Sequence, residues 1–543
     1  MLLAQGLSLT LSLWDRKILG DIPTDLVRDR LPLVLAQILS RTLLNQQHNG
    51  SWGSGSCEVT AYGILTLKCL SALPFLNSMT AEISAAIKAG RQHLLLNHGC
   101  WADLSYVWIE KVSYGSAALA QTYCFAAMHH SKPAPSWSGT LAALVDPPMG
   151  KGIKFIQFFS RLPLYLHLGK DDPTLKLSVL EGYLLLPQLR DVRLDIFPRT
   201  GMAEDQWLEY IPLTWTCCNY LNAPVETELL IDMIRLSMLN YQADEYMEAV
   251  VGTSFSDQHD VIHALIRKLC AEPAVPSPLL PRKRQHAALE GAETDGILNG
   301  HAAAHPRSDD TAEDRLAGVE KVLTTYITHI LAHPSVLRAP VRTRTRLRRA
   351  LAAFLSAHVT QNRDNMLLAQ QPPLDEPGSA APFAAARISF YQWVHTVSAD
   401  HTSGPFSWIF YECLIGRAGV ETWGDAKKRY VAEEAGRKLS TMCRMYNDYG
   451  SVQRDRAERN VNSLDFPEFH VGVGGGGGQE KADQRKADLM YLAEYERECL
   501  NRALERLGGM TEKGTMTRVR LFVNVTDLYG QIYVARDIAS RMK

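Results

Sequence analysis

The stretch Arg444-Met445-Tyr446-Asn447-Asp448-Tyr449-Gly450-Ser451-Val452-Gln453-Arg454-Asp455 sets a polar, oxygen-bearing side chain at every fourth position. If the stretch is helical, Asn447, Ser451 and Asp455 form one stripe over two turns, with Arg444 a turn before it and Arg454 beside its last member. Asn and Ser are weak helix formers, and Gly450 inside a helix costs about 1 kcal/mol relative to Ala. A ligand role would explain that cost. A polar helix face with accidental spacing is the simpler alternative, and it leaves the cost without a reason.

A second acidic pattern lies upstream, Asp244-Glu245-Tyr246-Met247-Glu248. Acidic pairs at i, i+4 are common on solvated helix faces, so this pattern alone carries little. Its setting is apolar: Leu229, Leu230, Ile234, Leu236 and Leu239 precede it, and Ala249, Val250 and Val251 follow. Carboxylates on a helix that a protein would bury need a partner, and a cation is a ready one. Asp244, Glu245 and Glu248 opposed to Asn447, Ser451 and Asp455 would hold Mg²⁺, which takes hard oxygen ligands and completes its shell with water and substrate phosphate. The chemistry implied is ionisation of an allylic diphosphate, with Arg444 and Arg454 as catalytic, diphosphate-binding cations. Aromatic faces would steady the carbocation left behind. Trp207, Trp215, Phe406, Trp408, Phe410 and Tyr411 are available, with Trp215 and Trp408 as the substrate-contacting candidates. Taken singly, each aromatic is more often a plain core residue.

Bulk properties narrow the partners. With 57 Lys+Arg against 58 Asp+Glu, the chain has no overall attraction to nucleic acid or an anionic membrane. The 10 cysteines show no CxxC pair and no Cys/His ligand spacing, so reduced thiols and a cytoplasmic setting are expected. Residues 2 to 14 lack a basic lead-in and are interrupted by Gln5 and serines, which argues against a signal peptide. No apolar run is long enough to span a membrane. A homodimer is left open.

Apolar residues recur at three- and four-residue intervals in Leu31–Leu44, Thr80–Leu95, Glu226–Tyr241, Ala312–His333, Val341–Thr360 and Lys486–Leu507, so an all-α fold is expected. Alternating strand patterns are hard to find. The expected organisation is an N-terminal helical segment over 1–150, two halves of a larger helical domain over 151–270 and 312–543, and a linker over 271–311. That linker is rich in Pro, Gly, Ala and charge. It carries Arg282-Lys283-Arg284, a solvated basic run or a nuclear-import patch. The glycines at 474 to 478 lack the Gly-Lys-Ser/Thr ending of a P-loop and are read as a flexible loop that could cover the site.

With both patterns placed, the chain resembles class I terpene cyclases. Asp244 to Glu248 is similar to their DExxE metal motif, and Asn447, Ser451 and Asp455 to their NDxxSxxxE motif, with Asp where Glu is usual. The flanking QADEYMEAVVG and CRMYNDYGSVQRDRAERNVNSLDFPEF look most like the class I half of fungal bifunctional copalyl diphosphate/ent-kaurene synthases. Gln47-His48-Asn49-Gly50-Ser51-Trp52-Gly53, Glu58-Val59-Thr60-Ala61-Tyr62 and Trp108-Ile109-Glu110-Lys111-Val112-Ser113-Tyr114-Gly115 resemble the closing part of their class II barrel. The resemblance implies a class I terpenoid synthase bundle, an N-terminal remnant of a class II α-barrel, three Mg²⁺ ions with Mn²⁺ as a substitute, and a prenyl diphosphate substrate. No Asp-x-Asp-Asp occurs in these residues, so acid-triggered cyclisation is not expected of them. Similarity to fungal α-humulene synthases of tropolone pathways favours farnesyl diphosphate and a humulene-type sesquiterpene over geranylgeranyl or copalyl diphosphate. A non-catalytic scaffold or degenerate cyclase is the reading from another class, and a prenyl chain transferase is disfavoured by the Asn/Ser form of the second motif.

Overall fold

Three-and-four spacing of apolar residues becomes helix nearly everywhere it occurs. The computed structural model describes residues 1–20, 22–103, 107–109, 112–129, 137–169, 172–191, 196–198, 207–221, 224–271, 311–371, 382–471 and 478–535. One short antiparallel ribbon departs from the all-helical expectation. Val107–Ile109 pairs with Val112–Tyr114, in register Val107 to Tyr114, within a run that had no clear alternation. With 3 residues per strand, it leaves the fold class all-α. No described helix is long and apolar enough to cross a membrane, and none of the cysteines is in a disulfide.

The structure forms two compact units, Met1–Arg193 with Gln206–Arg235, and Leu194–Asp205 with Leu236–Lys543. The division does not fall at 150, since residues 151–193 and 206–235 pack with the N-terminal helices. The expected linker, apart from its two end residues, and the glycine-rich loop up to residue 477 lie outside the described residues.

In the first unit, helices α1 (Leu31–Leu44), α2 (Cys57–Leu70) and α3 (Thr80–Leu96) converge on Trp52. Its indole Nε1 donates to the Thr42 carbonyl at 2.7 Å. A Cβ at Gly63 or Gly90 would come within 2.7 or 2.9 Å of the ring. The Gln47–Gly53 stretch is thus a packing motif, an aromatic wedge seated between two helices at their glycines. Two further helices of this unit are α4 (Thr174–Asp191) and α5 (Trp207–Asn219).

Helix α6 (Thr227–Tyr246) runs from the first unit's residues into the second's, and its last turns carry Asp244. The second unit then adds α7 (Ala312–Leu331), α8 (Val341–Ala369), α9 (Val397–His401), α10 (Gly404–Ile415), α11 (Ala426–Glu458), α12 (Gly478–Met510) and α13 (Lys513–Ala535). Helix α11 holds the Asn/Ser/Asp stripe. Asp425 caps its start by accepting from the Lys428 N–H at 2.9 Å, and Arg459 ends it in the left-handed region at φ 60°.

The glycine in the stripe has a packing cause rather than the ligand cause its position suggested. A Cβ on Gly450 would overlap the backbone carbonyl of Tyr533 in α13. From the other side, a Cβ on Gly530 would lie 2.6 Å from the Tyr446 ring. The two helices approach through glycines facing each other's bulky positions. Gly450→Ala would gain about 1 kcal/mol of helix propensity but force apart two backbones, and overpacking of this kind costs about 1–3 kcal/mol. Because the obstacle is a carbonyl that cannot rotate aside, we expect a net loss of about 2 kcal/mol in denaturant unfolding. Unchanged stability would mean the helices do not meet this closely.

Candidate metal and diphosphate site

One turn before Asp244, Asn240 fixes the end of α6. Its amide donates to Ser407 Oγ at 2.9 Å and accepts from Tyr326 O–H at 2.9 Å, all three groups being buried. The helix then widens into a π turn at Met247–Val251, which follows Asp244 and contains Glu248. Such turns gather at functional sites. The Met247 carbonyl accepts from the Gly252 N–H and, at 2.9 Å, from the Asn362 side-chain amide of α8. A Cβ on Gly252 would lie 2.7 Å from that amide and would displace it.

Asp244 and Glu248 look onto two histidines. Asp244 Oδ1 lies 3.3 Å from His358 Nδ1 and 3.9 Å from His401 Nε2, and Glu248 Oε1 lies 3.6 Å from the same His401 nitrogen. The imidazoles are 4.0 Å apart, centre to centre. No Lys or Arg among the described residues pairs with either carboxylate. The enclosed setting and the neighbouring charges of Glu248 and Glu245 push the Asp244 carboxyl well above its usual range, and Arg444 and Arg454 oppose that rise. Burial, aided by Arg444, holds His401 down to about 3; burial and the nearby His401 lower His358 strongly as well. A carboxyl raised this far, beside two imidazoles without hydrogen-bond partners at the nitrogens that face the carboxylates, is short of positive charge that a divalent cation would supply. The donor set therefore fits a metal ion.

The stripe on α11 carries its own network. Ser451 O–H donates to Asp455 Oδ2 at 2.5 Å, and the Asn462 side-chain amide donates to the same oxygen at 2.8 Å. Burial and Asp448 push the Asp455 carboxyl up to about 6. Asn447 is half-buried on the same face. Arg454 Nη2 lies 3.5 Å from Asp455 Oδ1. Arg444 is buried, with its Nε 2.7 Å from Asp448 Oδ1, its guanidinium 5.4 Å from the Trp393 ring centre and an N–H donating to the Val461 carbonyl at 3.3 Å. Burial opposes its charge, but Asp448, Asp455 and Glu248 more than offset this and hold it protonated. Arg444 acts electrostatically on Asp244, and Glu248 on Arg444, so the two stripes lie within electrostatic reach of each other.

Some expected residues lie elsewhere. Glu245 accepts from Tyr241 O–H at 2.6 Å and stands outside the four-residue cluster. Trp408 stacks on Trp423 at 6.3 Å and meets Phe522 edge-on at 5.4 Å, so its ring packs α10 against α11 and α13. Trp215 is buried in the first unit. Phe410 contacts His333 and Tyr411 contacts Phe522, while the Trp207 side chain lies outside the described residues. Phe406 is the one drawn near the cluster, stacking at 5.8 Å on Phe354, which in turn meets His358 edge-on at 4.8 Å.

His358 and His401 were not expected. His358 shares the α8 face of the core residues Leu351, Phe354 and Leu355, and a polar residue on such a face is the one signal the sequence offered. Asn462, Ser463 and Asp465 also emerge as supports. Asn462-Ser463-Leu464-Asp465 forms a capping box whose Ser463 N–H and O–H donate to Asp448 Oδ2 at 2.9 and 2.6 Å. The Asn-x-x-Asp spacing was legible as a cap.

No family model matches the chain. Comparison with curated proteins is informative. A pimaradiene synthase of Emericella nidulans is 38% identical over 98% of this chain and 54% of its own length. The chain is homologous to fungal diterpene synthases. An ent-kaur-16-ene synthase of Fusarium fujikuroi is 31% identical over 100% of the chain and 55% of its own length. A bifunctional premutilin synthase of Clitopilus passeckerianus is 25% identical over 93% of the chain and 50% of its own length. The chain thus spans about half the length of the curated relatives it matches. The likeness to the kaurene-synthase-like part of these enzymes holds.

Proposed function

We propose that this chain is a class I terpene cyclase that releases diphosphate from a C20 prenyl substrate, geranylgeranyl or copalyl diphosphate. The observation that carries the reading is the pair of carboxylates Asp244 and Glu248 without a Lys or Arg partner, within electrostatic reach of Arg444 on the opposing stripe. Asp244 and Glu248 would hold cation on one side, and Asn447, Ser451 and Asp455 on the other. Mg²⁺, three ions by the resemblance, would neutralise the diphosphate oxygens as the carbon–oxygen bond breaks. Arg444 and Arg454 add fixed positive charge where negative charge develops, preorganised by Asp448 and Asp455. Phe354 and Phe406 offer π faces near the carboxylate end.

The substrate size rests on the relatives. Pimaradiene and kaurene are diterpenes, and this moves the favoured substrate from farnesyl to a C20 diphosphate. Farnesyl diphosphate remains the second reading, on the resemblance to humulene synthases. Incubation with Mg²⁺ and each of the three diphosphates, followed by mass spectrometry of the hydrocarbons, decides the matter. We expect diphosphate release at least about tenfold faster from a C20 substrate, a difference of about 1.4 kcal/mol in transition-state binding. A C15 product formed faster than any C20 product would reverse the assignment, and no release from any of them would favour the scaffold reading. Assembly as a homodimer is checked by light scattering on the same preparation.

A further inference from the structure

We propose that Asp244, Glu248, His358 and His401 together form a carboxylate–imidazole site that takes a first-row transition-metal ion in preference to Mg²⁺. The proposal rests on Asp244 and Glu248 being metal ligands, and on no prenyl substrate.

One ligand atom from each of the four residues lies within 4.8 Å of all the others. The closest separations are 3.3 Å and 3.6 Å. A tetrahedral shell with bonds of about 2.0–2.1 Å has edges of about 3.4 Å, so small side-chain movements close it. The histidines do not otherwise account for themselves. His358 is fully buried, and neither of its ring nitrogens has a hydrogen-bond partner. His401 Nε2 is buried and equally without a hydrogen-bond partner, and it lies 3.6 Å from Glu248 Oε1. Orphaned nitrogens in a protein interior cost about 1–3 kcal/mol each unless something binds them. Two of them aimed at two carboxylates name the ligand class. Imidazole suits Fe²⁺ through Zn²⁺ in the first row, whereas Mg²⁺ prefers oxygen alone. The opposing stripe of Asn447, Ser451 and Asp455 offers only oxygen, so the two halves of the site differ in the ion they favour.

The test uses the full chain, stripped with chelator and without any diphosphate. Calorimetric titration with Co²⁺ is expected to show one ion bound at least tenfold tighter than Mg²⁺, with the visible bands of nitrogen-ligated Co²⁺. Mn²⁺ loaded at the same stoichiometry is expected to show imidazole ¹⁴N coupling by pulsed electron paramagnetic resonance. His401→Gln should lose at least tenfold in Co²⁺ affinity while its Mg²⁺ affinity changes little. The spectra of the unaltered protein stand even where His358→Gln fails to fold. Equal affinity for Co²⁺ and Mg²⁺, or Mn²⁺ bound without nitrogen coupling, would overturn the proposal and leave the imidazoles as hydrogen-bonding supports for the carboxylates. Asn447→Ala separates the two readings, since it should end diphosphate release and keep the Co²⁺ spectrum. Nitrogen-ligated Co²⁺ in a protein that cleaves no prenyl diphosphate would sink the cyclase reading alone.

Discussion

Asn447→Ala is expected to lower metal-dependent diphosphate release by about a thousandfold, as the loss of one preorganised group at a developing charge does. Asp244→Ala should fall as far, because it removes the carboxylate that faces both histidines. Glu245→Ala is the informative contrast. Its carboxylate is held by Tyr241 and stands outside the ligand cluster, so a loss of less than about tenfold is expected, of the order of one surface charge on the local potential. A coupled assay for inorganic diphosphate reads all three, with circular dichroism confirming that each variant folds. Full turnover in both Asn447→Ala and Asp244→Ala would remove the proposed site, and equal collapse of Glu245→Ala would return it to the ligand set.

That contrast shows where the sequence was informative. In a helix, residues at i and i+4 lie on one face while i+1 points about 100° away. The acidic triplet therefore already separates Asp244 and Glu248 from Glu245. Helix existence was legible for the same reason, and Leu31–Leu44 and the start of Ala312–Leu331 fall where the apolar period places them. Features set by distant segments were not legible. Gly450 faces a carbonyl of α13, and His358 meets His401 only after α8 and α9 pack together. Trp408 had the composition of a cavity wall, yet its ring is enclosed by Trp423 and Phe522. Aromatic content alone does not say which face a side chain takes.

Arg444 gives the second large effect, through its partner. The sequence offers Arg444 as a cation for the diphosphate, but the structure sets it 2.7 Å from Asp448, one turn along α11. Asp448 is fully buried, and its other oxygen accepts both bonds from Ser463. The Asp448 carbonyl also accepts from the Asn462 amide at 2.9 Å, the same amide that reaches Asp455. One carboxylate thus holds a guanidinium in place and pins the turn that positions the last ligand of the stripe. Removing it leaves a buried guanidinium without its counter-charge, which costs about 3–5 kcal/mol in a protein interior. Asp448→Ala is therefore expected to lose that much in urea unfolding of the second unit. Asp448→Asn keeps an acceptor for Ser463 but no charge for Arg444, so it should recover only part of the loss. Arg444→Met added to Asp448→Asn removes the orphaned charge and should restore stability towards the original while diphosphate release stays low. If the double variant is no more stable than Asp448→Asn, the buried pair is not what Asp448 contributes.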